Sequence, residues 1–143
     1  MAKRKKSPRK VINRNNKLYT IRGIELTRCS NTKTEAEFFS WILSHCRRLT
    51  LKWKPANDCL MENREPYNGS DKRTKWQYIC QHCTKRFKRK DVHLDHIIKC
   101  GGINCFDDIS KWFQKALVEK DGYQVLCSTC HAYKTGAERI GLI

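Results

Sequence analysis

The sequence predicts an α+β fold: a small unit of two strands and a helix stapled by zinc, with a helical, basic N-terminal extension. Three observations point there. Two Cys-x-x-Cys pairs, Cys80 with Cys83 and Cys127 with Cys130, bracket residues 84–126, and that spacing turns both sulfurs of each pair toward one ion. Two short β-patterned runs, at 92–98 and 123–126, lie between and beside them. A helical pattern with its own start signal follows Thr34.

Size and charge limit what such a unit can do. A chain of 143 residues makes one domain, or one small domain with an appendage. At 39% hydrophobic and 31% charged it has a small core, which a bound metal would help to fasten. The formal net charge of +16, from 30 basic and 14 acidic residues, points to a polyanionic partner, DNA or RNA. Nine cysteines are an odd number, and no apolar stretch resembling a signal peptide occupies the N-terminus. Both facts argue against a secreted disulfide scaffold and for reduced thiols in an intracellular, cytoplasmic protein. No apolar run approaches the roughly 18 residues needed to cross a bilayer, so no membrane partner is expected.

In chain order, residues 1–30 read as a basic arm. Lys3, Arg4, Lys5, Lys6, Arg9 and Lys10 occur without an acidic residue, a composition that cannot fold alone and suits a phosphate backbone. Leu18-Tyr19-Thr20-Ile21 reads as a short strand. Residues 31–75 read as a helical extension and linker. Thr34-Glu35-Ala36-Glu37 has the form of a capping box, and Phe38, Trp41, Ile42, His45, Cys46 and Leu49 follow at helical spacing until Pro55. His45 and Cys46 belong to that apolar face and are read as core. Residues 57–70 are polar and turn-rich and are read as connection.

A second basic cluster includes Lys85, Arg86, Lys88, Arg89 and Lys90, interleaved with Trp76, Tyr78 and Phe87. The charges suit phosphate contact. The rings can stack on bases, but in an alternating strand they more often pack into a small core, which is the reading adopted. Of the cysteines outside the two pairs, Cys29, Cys46, Cys59, Cys100 and Cys105, none has metal-knuckle spacing; Cys100 and Cys105 are open as a second metal pair, but all five are read as buried or idle thiols. Gly101-Gly102 turns the chain, Asp107 or Asp108 caps a helix running through Ile109, Trp112, Phe113 and Ala116, and a last helix opens at Ser128 or Thr129. A regular strand sends Asp95 and His96 to opposite faces, so both reach one phosphate only where the strand ends or bulges.

The run His93-Leu94-Asp95-His96-Ile97, the pair Gly101-Gly102, and Val125-Leu126-Cys127-Ser128-Thr129-Cys130-His131-Ala132-Tyr133-Lys134-Thr135, together with Cys80 and Cys83, resemble the HNH endonucleases of the ββα-metal fold. The resemblance covers about residues 76–139 of a nuclease domain read as 76–143, and the whole looks like the small free-standing HNH proteins of phages and mobile elements, including homing endonucleases. It implies a metal-dependent endonuclease that nicks or cuts DNA, double-stranded most of all with RNA also open, and leaves 5′-phosphate and 3′-hydroxyl ends. It implies His96 as general base, Asp95 and His131 as ligands of a catalytic Mg²⁺ or Mn²⁺, and Cys80, Cys83, Cys127 and Cys130 as ligands of structural Zn²⁺. Lys134 reads as a phosphate contact or a solvated helix residue. The middle motif residue, usually asparagine or histidine, falls at Gly122; Asp121 and His93 are both candidates to replace it. With no heptad seam in the sequence, a monomer or weak dimer is expected. A different class of function competes: a zinc-stapled nucleic-acid-binding module without catalysis.

Overall fold

The computed structural model describes residues 11–15, 17–20 and 22–142. β1 (Val11–Arg14) and β2 (Lys17–Thr20) pair antiparallel, so the expected basic arm is a hairpin from Val11 onward. Leu26, just beyond it, is buried. The six basic residues Lys3, Arg4, Lys5, Lys6, Arg9 and Lys10 lie outside the described residues.

α1 (Glu35–Thr50) starts at the predicted capping box, with both reciprocal bonds formed: Glu37 N–H donates to Thr34 Oγ1, and Thr34 N–H donates to Glu37 Oε2. Its buried face differs from the expected one. Cys46, read as core, is buried, and the expected Phe38 and Ile42 pack beside it, but Phe39 and Leu43 join them in place of Trp41, His45 and Leu49, which are exposed. His45 is therefore a surface residue, its ring against Trp41.

α2 (Lys54–Glu62) occupies part of the expected connection. Pro55 lies in its first turn, where the fixed φ suits the helix and the missing N–H costs nothing. Ala56, Cys59 and Leu60 form its buried face. β3 (Arg64–Pro66), β4 (Trp76–Ile79) and β5 (Arg86–Phe87) make an antiparallel sheet in that order. β6 (Val92–His96), α3 (Asp107–Ala116), β7 (Tyr123–Cys127) and α4 (Ser128–Arg139) complete an α+β architecture of three small sheets and four α-helices among the described residues.

β6 and β7 pair antiparallel with Val92 opposite Cys127, Leu94 opposite Val125 and His96 opposite Tyr123. Cross-strand neighbours share a face, so these six residues form one side of the ribbon, and His93, Leu126, Asp95 and Gln124 form the other. The first side meets α2: Ala56, Cys59 and Leu60 cluster with Tyr78, Val92, Tyr123 and Val125. Each such apolar side chain removed from water contributes about 1.5–3 kcal/mol, enough in sum to fix the ribbon's register. α1 and α3 form a second cluster through Phe39, Cys46, Ile103, Trp112 and Ala116. The other side of the ribbon meets α4. Ile97 and Ile98, expected to anchor the strand, lie beyond its end and are exposed. No described helix is long and apolar enough to cross a membrane.

Candidate metal centre and histidine cleft

Cys80 directly follows β4, Cys83 lies in the turn toward β5, Cys127 ends β7, and Cys130 stands in the first turn of α4. Their four sulfurs all lie within 4.8 Å of one another, and Cys83 Sγ to Cys127 Sγ is 3.9 Å. A tetrahedral Zn–S₄ site with bonds near 2.3 Å has sulfurs about 3.8 Å apart, so the four residues fit such an ion. The soft, all-sulfur donor set favours zinc over magnesium or calcium. It is the one group of its kind among the described residues; Cys100 and Cys105 do not form a second.

The thiols differ in acidity. Burial raises Cys80, but backbone N–H groups of Cys83, Cys127 and His82 outweigh it and lower the thiol to about 6. Hydrogen bonding to Cys127 and crowding by the other sulfurs push Cys130 up to about 12. Four thiolates this close repel one another, and a divalent cation among them turns the repulsion into attraction. His82 Nδ1 lies 3.5 Å from Cys130 Sγ at the rim of the cluster.

The cysteine clip fixes where α4 begins relative to β6, and this brings the acidic and histidine residues together. His131 Nε2 stands 3.9 Å from Asp95 Oδ1. The His131 ring stacks on His93 at 4.6 Å between centroids and 19° between planes, and His93 Nε2 is 3.2 Å from Ser128 Oγ. The other oxygen of Asp95 is taken: Lys134 Nζ donates to Oδ2 at 2.7 Å and Gln124 Nε2 at 3.2 Å. Lys134 also reaches His96 O at 2.5 Å and Glu138 at 2.9 Å. Burial opposes its charge, but the Asp95 and Glu138 carboxylates hold the ammonium above the usual lysine range. Lys134 is thus a half-buried cation on Asp95, rather than a side chain extended into solvent.

No protein-family profile, curated protein or solved structure matches this chain.

His96 lies on the side of the ribbon opposite Asp95, as regular alternation requires, but at the last residue of the strand, where both side chains edge one cleft with Arg47 and Lys99. A second cleft of about 360 Å³ brings His96 together with His93, His131 and Arg89. His96 therefore stands on the ridge between two clefts, one shared with Asp95 and the other with His131. Its Nε2 is 3.0 Å from Ala116 O, and its ring leans on Tyr123 at 4.7 Å. A carbonyl only accepts, so Nε2 carries a proton in this contact, and in the neutral ring Nδ1 is the nitrogen with the lone pair.

Ala116 O lies at the end of α3, and sequence reasoning missed it because a backbone carbonyl has no residue identity. The structure also accounts for Gly122. A Cβ placed there would lie 2.3 Å from Val118 Cγ2 and 2.8 Å from its Cβ, so the position is closed to a side chain. Asp121 is exposed on the single turn beside it. Gly122→Asn is expected to destabilise the fold by about 1–3 kcal/mol through overpacking, measured as a lower urea midpoint. An unchanged midpoint would show that Val118 moves aside freely.

The second basic cluster is divided by its pairings. Arg86 is paired with Glu65, and Lys88 is bonded to Asp71 at 2.8 Å. With Thr74 and the backbone of Arg73, Lys88 lowers Asp71 to about 2. Lys85, Arg89 and Lys90 are exposed. Of the three interleaved rings, Tyr78 is buried and Phe87 packs on the core, but Trp76 is 39% exposed and stands outside it.

Proposed function

We propose that this chain is a metal-dependent endonuclease of the HNH type that hydrolyses DNA phosphodiester bonds. The observation that carries the reading is the meeting of Asp95 and His131 at 3.9 Å, across a strand and a helix joined by a four-cysteine clip, with His96 at the strand's end. Oxygen and nitrogen donors bind a small divalent cation at about 2.0–2.2 Å, so one ion spans two donors up to roughly 4.2 Å apart. Asp95 Oδ1 and His131 Nε2 lie within that span and would be the residues to hold such an ion, Mg²⁺ or Mn²⁺, which when bound would supply positive charge at the phosphate and the leaving oxygen.

The chain's own residues supply the rest. Lys134 and Gln124 hold Asp95 by Oδ2 and leave Oδ1 turned toward His131. Ala116 O holds His96 by Nε2–H and leaves Nδ1 to take a proton from the attacking water. The water oxygen bonds to phosphorus, the bond from phosphorus to the 3′ oxygen breaks, and that oxygen leaves as a hydroxyl after taking a proton from solvent. The ends are a 5′-phosphate and a 3′-hydroxyl. One site per chain makes each encounter a nick, and cutting both strands takes two chains or two encounters.

The test is the conversion of supercoiled plasmid by the zinc-loaded protein with and without added Mg²⁺ or Mn²⁺. Nicked product should form only with the metal, and Asp95→Ala should raise the metal concentration for half-maximal cutting at least about tenfold. No product above the metal-free control would defeat the reading.

A second reading, a binding module without catalysis, has its own support in Lys134. The ammonium already neutralises Asp95, which reduces that carboxylate's need for an added cation. On this reading the protein shifts duplex DNA in a gel and leaves the plasmid supercoiled.

A further inference from the structure

A third cleft, of about 480 Å³, opens beside the β3–β5 sheet. Lys75, Trp76, Tyr78, Lys88, Arg89 and Lys90 line it, with Asp71 and Thr74. Lys88 is committed to Asp71. Lys75 and Lys90 are exposed and have no ion-pair partner among the described residues. The cleft thus has a strongly positive wall, and its size lies in the range of small-ligand pockets.

Trp76 is the feature that phosphate binding alone does not explain. It shares a face of β4 with Tyr78, two residues away, yet Tyr78 is buried and Trp76 is 39% exposed. The Arg64 guanidinium lies over the indole at 4.1 Å, and Arg64 is not among the residues lining the cleft. One side of the ring is therefore occupied by a cation that fixes its orientation, while the ring also fronts a cleft rimmed by free ammonium groups. Arg89 connects this cleft to the proposed site, since it lines both the Trp76 cleft and the cleft of His93, His96 and His131.

We propose that the Trp76 cleft binds an unpaired nucleotide of the nucleic acid, with the base stacked on Trp76 and the phosphates against Lys75 and Lys90. An aromatic platform in a basic groove is how proteins hold single strands without reading sequence, because every base offers a π face. A duplex, with its bases already stacked, gains only the charge contacts there. The inference rests on the nucleic-acid reading above and adds to it a preference for strands with unpaired bases, such as flaps, gaps or junctions, with the unpaired segment reaching the histidine cleft past Arg89.

The experiment compares binding of a short oligothymidine and a duplex of equal length by the zinc-loaded full chain without added Mg²⁺ or Mn²⁺. Trp76→Ala should weaken oligothymidine binding about 5- to 100-fold, Trp76→Phe should retain most of it, and duplex binding should change less than about twofold. Oligothymidine should also quench tryptophan fluorescence in the wild type and in Trp41→Phe, but much less in Trp76→Phe. Zinc content and far-ultraviolet circular dichroism equal to wild type show that each variant is folded. If Trp76→Ala binds both oligonucleotides as the wild type does, or loses both equally, the stacking site is refuted while the nucleic-acid reading stands. If the wild type binds neither, that reading fails and takes this inference with it.

Discussion

Stripping zinc with a strong chelator, or replacing Cys80 with serine, is expected to unfold the unit of β6, β7 and α4. Cys80 is completely buried and clusters with Leu126 and Cys127, against which Phe87 also packs. That cluster is small, and beside it α4 meets the ribbon through the stack of His131 on His93 and through polar contacts of Lys134 and His131 with Asp95 and of Ser128 with His93. Structural zinc in small domains contributes roughly 10–16 kcal/mol at neutral pH, which matches or exceeds the whole stability of a typical domain. A serine oxygen keeps the volume of the cysteine but not its affinity for zinc. The expected signs are one zinc per chain by native mass spectrometry, loss of helical circular dichroism in chelator, and recovery on adding zinc.

Acid should act in the same direction. Cys80 ionises at about 6 in the fold instead of the usual 9.0. A group with a depressed value stabilises the folded state fully above its unfolded value, near 9, and loses that contribution as the pH falls through about 6. Protons also compete with the metal for thiolate, so less chelator should suffice at pH 5.5 than at pH 8. Identical melting curves with and without chelator, at either pH, would show that the four sulfurs close together without holding the fold.

The parts of this architecture that the sequence made legible are those whose physics is local. The cysteine pairs show because knuckle spacing is a property of four consecutive residues. The cap of α1 shows because Thr34 and Glu37 bond across a single turn. The strands around Asp95 and Val125 show because alternation and an adjacent metal pair mark them together. The hidden parts depend on what a residue packs against. Pro55 reads as a stop after one helix and is the first turn of the next, a distinction that rests on whether Ala56, Cys59 and Leu60 find a core. The apolar strip of α1 is broad enough to allow two orientations that share Cys46, and the position of Ile103 and Trp112 chooses Phe39 over Trp41 and His45. Trp76 and Tyr78 look alike in sequence, and only Tyr78 lies over the centre of the sheet's buried face.

His96→Ala is expected to lower the rate of plasmid nicking by about 10²- to 10⁴-fold, the usual worth of a positioned general base, with little change in stability. Stability should hold because His96 is half-buried at the end of β6 and its ring makes a single described hydrogen bond, to Ala116 O, while the Lys134 bond to the His96 carbonyl survives the substitution. Tyr123 OH donates to the same carbonyl at 2.5 Å and keeps it satisfied when the imidazole is removed. On the proposed reading, that carbonyl would hold the base in a chain with glycine at position 122. The asparagine or histidine of the HNH pattern orients the imidazole with a side chain; here Val118 fills that space, and the end of α3 presents a main-chain acceptor to Nε2–H. If Nδ1 of that tautomer is the base, as proposed, three measurable consequences are expected. His96→Gln, which keeps a polar group but no basic nitrogen, should be as slow as His96→Ala. Added imidazole should restore part of the activity of His96→Gly, because the small base enters the space the ring vacates. The acid limb of the wild-type pH–rate profile, where the base becomes protonated, should disappear in all three variants. His93 and His131 are the other imidazoles in the same cleft, and the stack of His93 on His131 ties it to the proposed ion ligands rather than to water. If His93→Ala abolishes that acid limb while His96→Ala stays within a few-fold of wild type, the base is His93 and the carbonyl of Ala116 orients nothing catalytic.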